Sequence, residues 1–438
     1  MLCALLGIAM GATFGTAAAA AVALAAYPAF PPYLGIEVMG TIVIFWQRVI
    51  LYGLAMWVIA TLVFQMSLRR AAMSATRDQT TRRALVIVAF LCAARLGAEV
   101  VARDGRGMIA ATNEILIFYG FFVATITLWK SERDRQRLAV AIVIASVLVA
   151  AFAIFEYANA SNPLAAYEPV RRDMVSASEQ LTRFGRIRAT ATLGQPLAVA
   201  QLLLLGVGLL HVIAHQGRRW LEVVGQLVLV AGLVATGARS ALVSLFVGFL
   251  AIAIRSVRGV VLLISIATML VLQPFVFQEQ LAGLWRHFEV AVTPDVGDAQ
   301  SLSTDEMASR ISALSRVAQF VVSASVVREH PLAGVGMLNV KEATGLRTID
   351  NYYLLAVLES GLLSAVAFVS LGMLALQSAY RLRRYGRSKE ADGLVFVCVS
   401  TAAMLAFVSL KIVMPVVFVS LGLAIAAAAS EAPEQSLV

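Results

Sequence analysis

Long apolar runs alternate with short charged stretches along the whole chain. Twelve apolar segments stand out, at roughly 3–26, 44–67, 84–101, 110–129, 138–157, 190–213, 221–236, 240–254, 259–276, 352–376, 392–410 and 412–430. Runs of about 20 apolar residues have the length a helix needs to cross a bilayer, whereas membrane-barrel strands are about 10 residues of alternating character. The pattern therefore predicts an all-α polytopic integral membrane protein with about 12 transmembrane helices. The first segment has no basic stretch ahead of it and no clean cleavage site, which predicts a retained helix rather than a signal peptide. The pair at 221–254 is either one long helix or two short ones meeting at Gly237-Ala238-Arg239-Ser240.

The charged stretches orient this array. Loop 68–83 carries Arg69, Arg70, Arg77, Arg82 and Arg83, and loop 130–137 carries Lys130, Arg133, Arg135 and Arg137. Loops 214–220 and 255–258 add Arg218, Arg219, Arg255 and Arg258, and loop 377–391 adds Arg381, Arg383, Arg384, Arg387 and Lys389. Basic loops favour the cytoplasm, and all five fall on one side if both termini are cytoplasmic. An eleven-helix count breaks that alternation.

The expected organisation is then N-terminal transmembrane helices over 1–157, a periplasmic loop over 158–187, and further helices over 188–276. A large periplasmic loop over 277–351 and C-terminal helices over 352–438 complete it. Loops of this length usually carry function. Within the second, Val317 to Val327 reads as an amphipathic helix with Val317, Phe320 and Val321 at helical spacing.

Composition agrees with the pattern. The 438 residues are 60% hydrophobic and 14% charged, with a mean hydropathy of +0.84. That excludes a soluble enzyme, a disordered chain and a disulfide-rich secreted domain. The net charge of +9 is explained by the basic loops without invoking nucleic acid. Cys3, Cys92 and Cys398 sit in apolar runs at no metal-ligand or disulfide spacing, and His211, His215, His287 and His330 form no metal motif, so no metal or cofactor is expected.

The candidate chemistry lies on the outer side. Arg171, Arg172, Arg183, Arg186 and Arg188 crowd the first outer loop, and Arg286, Arg310, Arg316, Arg328 and Arg347 the second. Outer arginines run against the positive-inside bias, and a guanidinium fork suits phosphate and pyrophosphate oxygens. Arg183-Phe184-Gly185-Arg186-Ile187-Arg188 precedes a helix start at Ala189-Thr190, whose free N–H groups would extend an anion site. Lipid-headgroup contacts, or ion pairs to Glu168, Asp173 and Glu179, are the structural alternative.

Arg239, between two apolar segments, is either a functional charge or half of a buried ion pair. Asp350 is an N-cap, a base facing the arginines, or both. His330, opening His330-Pro331-Leu332-Ala333-Gly334-Val335-Gly336, acts chemically or closes the preceding helix. Asp295, Asp298, Asp305 and Glu306 look solvated, and no pair of aspartates flanks a helix start as a metal-bound nucleotide-sugar site would require.

Four segments in order resemble the O-antigen ligase/polymerase superfamily of bacterial envelope glycosyltransferases, over about residues 185–375. They are Arg188-Ala-Thr-Ala-Thr-Leu-Gly-Gln-Pro-Leu-Ala, Ala235-Thr-Gly-Ala-Arg239-Ser-Ala, Arg310 in Ala308-Ser-Arg-Ile with the later His330-Pro-Leu-Ala-Gly-Val-Gly, and Asp350-Asn-Tyr-Tyr-Leu followed by Glu359-Ser-Gly-Leu-Leu. The family's ligases carry a histidine where this chain has Asp350, which favours a polymerase.

The resemblance implies a GT-C-like enzyme of the bacterial inner membrane, with an inverting, metal-independent transfer at the periplasmic face. Its donor would be a glycan on undecaprenyl pyrophosphate. Its acceptor would be another glycan for a polymerase of O-antigen, capsule or exopolysaccharide, or lipid A-core for a ligase. Membrane lipids and a chain-length regulator would be its other partners. Arg188 and Arg310 match the family's outer-loop arginines and Arg239 its junction arginine. Arg183, Arg186, Arg188, Arg239 and Arg310 are then the pyrophosphate-binding candidates, and Asp350, Arg310, Arg188 and His330 the catalytic ones. A transporter without chemistry is the remaining alternative. It would want related halves and broken, charged helices at the midplane.

Overall fold

A computed structural model describes residues 15–31, 35–38, 41–45, 49–55, 58, 78–164, 182–183, 186–213, 219–254, 318–346, 348–409 and 411–431. The described chain is helical apart from two small antiparallel hairpins. Six helices are long and apolar enough to cross a membrane: Gln79–Ala102, Gly105–Thr127, Glu132–Asn159, Pro196–Ile213, Tyr352–Arg384 and Lys411–Glu431. Three more are apolar but shorter, at Thr16–Ala29, Trp220–Ala235 and Arg239–Ala253. This is a membrane-embedded α-helical protein. The expected segment 259–276 and most of both long loops, Arg310 included, lie outside the described residues.

In chain order the elements are α1 (Thr16–Ala26), β1 (Gly35–Val38), β2 (Thr41–Phe45), α2 (Gln79–Ala102), α3 (Gly105–Thr127) and α4 (Glu132–Asn159). Then come β3 (Thr182–Arg183), β4 (Arg186–Ile187), α5 (Pro196–Ile213), α6 (Arg219–Ala235) and α7 (Arg239–Ala253). A helix at 318–329, here α8, precedes α9 (Val340–Thr344), α10 (Tyr352–Arg384), α11 (Ser388–Leu405) and α12 (Met414–Glu431).

The β1–β2 hairpin was not expected; β2 takes the first residues of the apolar segment at 44–67, where Thr41-Ile-Val-Ile-Phe45 is rich in β-branched side chains. The doubtful pair at 221–254 is two short helices, because Gly237 adopts a positive φ of 59° between them.

Local chemistry sets the helix starts. Asp78 caps α2 by accepting from Thr81 N at 2.6 Å, and Asp104 caps α3 by accepting from Arg106 N at 2.9 Å. Ser131 caps α4 by accepting from Asp134 N at 3.1 Å.

Two helices form the centre. Every residue from Ala198 to Leu210 of α5 is buried, and so is every residue from Met414 to Ala428 of α12. Helices α4, α6, α7 and α11 pack against α5, and α10, α11 and α3 against α12. Small residues let the backbones close in, as membrane helix interfaces require. A Cβ on Gly206 would fall 2.5 Å from Cβ of Ser146, and one on Gly393 would fall 2.5 Å from the carbonyl of Gly208.

The longest helix, α10, is broken. Gly361 has φ 82° and ψ 170°, and the turn at Pro331–Val335 fills the gap. Leu362 N donates to the Pro331 carbonyl at 2.9 Å and Val335 N to the Leu358 carbonyl at 2.7 Å. The backbone groups freed by the break are thus satisfied by the turn at Pro331–Val335, the condition for breaking a helix at membrane depth.

Candidate functional site

The segment entering α5 and the α6–α7 junction meet at one end of the bundle. Ala189 N donates to the Ala235 carbonyl at 3.0 Å, and Arg188 Nε to the Thr236 carbonyl at 3.3 Å. The Arg188 stem lies over Gly237, where a Cβ would stand 3.4 Å from its Cγ. Arg239 opens α7 just beyond that turn. Burial and then the neighbouring Arg239 charge hold the Arg188 guanidinium below the usual arginine range. Two arginines 51 positions apart therefore share one electrostatic site, and Arg188 makes no ion pair among the described residues. Like charges brought together suit a dianionic ligand such as a pyrophosphate.

The expected N–H anion site beside them is corrected. The N–H groups of Thr190 and Ala191 are already taken by Glu156, at 3.0 and 2.6 Å, and the Thr190 hydroxyl adds a third bond at 3.0 Å. The chain's own carboxylate sits where a ligand was expected, and α5 proper begins only at Pro196, after a 3-10 turn at Ala191–Leu193. Glu156 thus anchors the residues that follow Arg188. Arg183 and Arg186 are register partners in the β3–β4 hairpin, which ends one residue before Arg188.

A second charge group, missed from the sequence, lies at the same end. Arg95 bridges Glu114 and Glu359, with 2.6 Å to Glu359, and also donates to Ser360 Oγ at 3.0 Å. Lys411 bridges the same two carboxylates at 2.6 and 2.8 Å. Two cations and two anions close a ring of alternating charge across α2, α3, α10 and the start of the last span, and it sums to zero. Arg95, Glu114 and Glu359 are buried. A π-helical turn at Ile115–Tyr119 follows Glu114 directly. Tyr27, donating to the Ile412 carbonyl at 2.6 Å, and Thr192, donating to the Pro28 carbonyl at 2.5 Å, link the two groups through the residues after α1.

No family model and no curated protein matches this chain.

Asp350 and His330 belong to the segment between α8 and α10 rather than to either charge group. The N-cap of α10 is Asn351, whose side chain accepts from Leu354 N at 3.0 Å, so the capping role expected of Asp350 falls one residue later. Asp350 is half-buried, and its backbone N–H donates to Gln319 Oε1 at 3.1 Å. Its neighbour Ile349 accepts from the Ser409 hydroxyl, two residues before Lys411. The His330 backbone closes α8, donating to the Val326 carbonyl at 3.0 Å and accepting from Gly334 N at 3.1 Å, while the residue is exposed.

The signal for the missed residues was present: Arg95, Glu114 and Glu156 are charges inside apolar segments, expensive there and meaningful by default. Among the described residues no cluster of three metal-binding side chains occurs.

Proposed function

We propose that this protein is a membrane glycosyltransferase that polymerises undecaprenyl-pyrophosphate-linked oligosaccharide repeats into O-antigen, capsule or exopolysaccharide. The observation that carries the reading is the meeting of Arg188 and Arg239 at one end of the bundle. These are the two described arginines that match the family's motifs. The opposite end of the bundle carries the basic residues Arg133, Arg137, Arg384 and Lys389. By the positive-inside bias that end is cytoplasmic and the arginine pair faces the periplasm of a bacterial inner membrane.

In this reading the guanidiniums hold the pyrophosphate of the donor. The acceptor hydroxyl attacks the anomeric carbon from the opposite face, the bond to the pyrophosphate oxygen breaks, and configuration inverts. Charge developing on the departing pyrophosphate is stabilised by Arg188 and Arg239, assisted by Arg310. Asp350 accepts the hydroxyl proton. A carboxylate is a weak base, so electrostatics and positioning carry the larger share of the rate.

Glycan banding from a strain lacking the gene tests the reading. Loss of long chains with single repeats still attached to the envelope acceptor is the expected result. Long chains accumulating on the polyprenyl carrier would indicate a ligase acting on lipid A-core instead. Repeats trapped on the inner leaflet would indicate transport and overturn the catalytic reading.

A further inference from the structure

Segment 318–346 exposes large apolar side chains that a solvated loop would cover. In α8, Gln319, Ser323 and Val326 face the protein, with Gln319 buried against the Asp350 backbone. Phe320 and Val321 face outward, 53% and 68% exposed. Beneath lies a small core of Val326, Val340, Ile349 and Leu358, separate from the main one. The segment is fixed to the bundle by the two backbone bonds at the α10 break and by Met337 N donating to Glu99 Oε1 at 2.7 Å. The fixing is tight, since a Cβ on Gly334 would fall 2.4 Å from the Leu358 carbonyl.

This docking lines the outer segment up with the flank of a spanning helix. The Leu332 carbonyl packs on Gly361, and Leu332 is 68% exposed beside the exposed Leu362, Leu363 and Val366 of α10. That flank of α10 is lipid-facing by its composition. Exposed apolar side chains of the loop and of the spanning helix therefore adjoin at the Leu332–Gly361 contact. At 1.5 Å per residue, the 12 described residues of α8 reach about 18 Å.

We infer that residues 318–346 are an interfacial element, with Phe320, Val321, Leu332 and Leu338 immersed in the acyl-chain edge of the adjacent leaflet. The exposed Arg328, Glu329, Lys341 and Glu342 form its wet rim. The partner of this surface is the bilayer itself. A consequence is that Asp350 is held at the leaflet surface, so a lipid-borne substrate reaches it by lateral diffusion. The interfacial placement rests on burial and docking alone; the consequence for Asp350 rests on the glycosyl-transfer reading.

Nitroxide labels at Phe320→Cys, Val321→Cys, Leu332→Cys and Leu338→Cys test it, in a variant lacking Cys3, Cys92 and Cys398 and held in phosphatidylcholine nanodiscs. The expected result is that oxygen reaches these four labels better than a water-soluble nickel chelate, with the order reversed at Arg328→Cys. Preferential access of the chelate to the four sites would overturn the inference. Exclusion of both reagents would overturn it too, by showing protein cover from another part of the chain or a second copy. If the cysteine-free chain does not fold, Phe320→Trp in the native chain gives the same answer. Extra indole fluorescence quenched by brominated lipid is expected, and extra fluorescence quenched only by aqueous iodide contradicts immersion.

Discussion

Arg95 stands between two carboxylates, and Arg188 stands beside another arginine. Both lie at the same end of the bundle, and both are largely enclosed. Arg95, Glu114, Glu359 and Lys411 satisfy one another and leave no net charge for a ligand. Arg188 spends one N–H on a backbone carbonyl and faces Arg239. A balanced ring costs little to keep because each charge is paired, and it fixes which helices meet. Arg188, with no ion pair among the described residues and a second arginine beside it, keeps a charge that an anion would compensate. The first group is read as architecture and the second as a binding site.

The largest effect expected is on the ring. Arg95→Ala leaves Glu114 and Glu359 buried against Lys411 alone, and breaking a buried pair typically costs about 3–5 kcal/mol. Loss of monodisperse protein in detergent, read by thermal size-exclusion, is the expected outcome. A fully stable Arg95→Ala would erase the distinction between the groups.

Arg188→Ala should do the reverse, with melting no lower than the parent's and a polymerisation rate down about 10²–10³-fold, the usual loss for one preorganised charge donor. Transfer assays on purified lipid-linked repeats would measure it.

Glu156→Gln sharpens the boundary between them. The amide keeps one acceptor oxygen where the carboxylate satisfied three donors, so a cost of about 1–3 kcal/mol is expected. Because Thr190 and Ala191 follow Arg188 directly, transfer should slow as well, and a stability loss without slower transfer would place Glu156 outside the site.

The smallest effect concerns salt. Screening relieves the Arg188–Arg239 repulsion, so added salt should raise the melting temperature of the empty protein by the equivalent of about 0.2–1 kcal/mol. Arg188→Gln should lose that increment, and an identical salt response in the two proteins would show that the arginines do not feel each other.

Much of this was legible in the chain. The spans at 84–101, 110–129, 138–157 and 412–430 were readable because burial in lipid demands unbroken apolar runs. Arg188 and Arg239 could be singled out because they are charges at the ends of such runs. Their proximity was less accessible, since it depends on which helix ends meet. The ring was hidden for the same reason: Arg95 and Ser360 lie 265 positions apart, and apolar periodicity does not say which helices touch. The break at Gly361 was hidden by the apolar residues on either side, and the role of Glu156 by its lying 34 positions from Thr190. The apolar face of α8 at Phe320 and Val321 was legible in its helical spacing, and that it turns away from the protein depends on docking.

The most direct measurement is binding of undecaprenyl pyrophosphate to the intact protein in nanodiscs, compared with the Arg188→Ala/Arg239→Ala double variant. Saturable binding by the parent chain, lost in the double variant while its melting temperature holds, is the predicted result. Equal affinity in both proteins would contradict the claim that these two arginines form the pyrophosphate site.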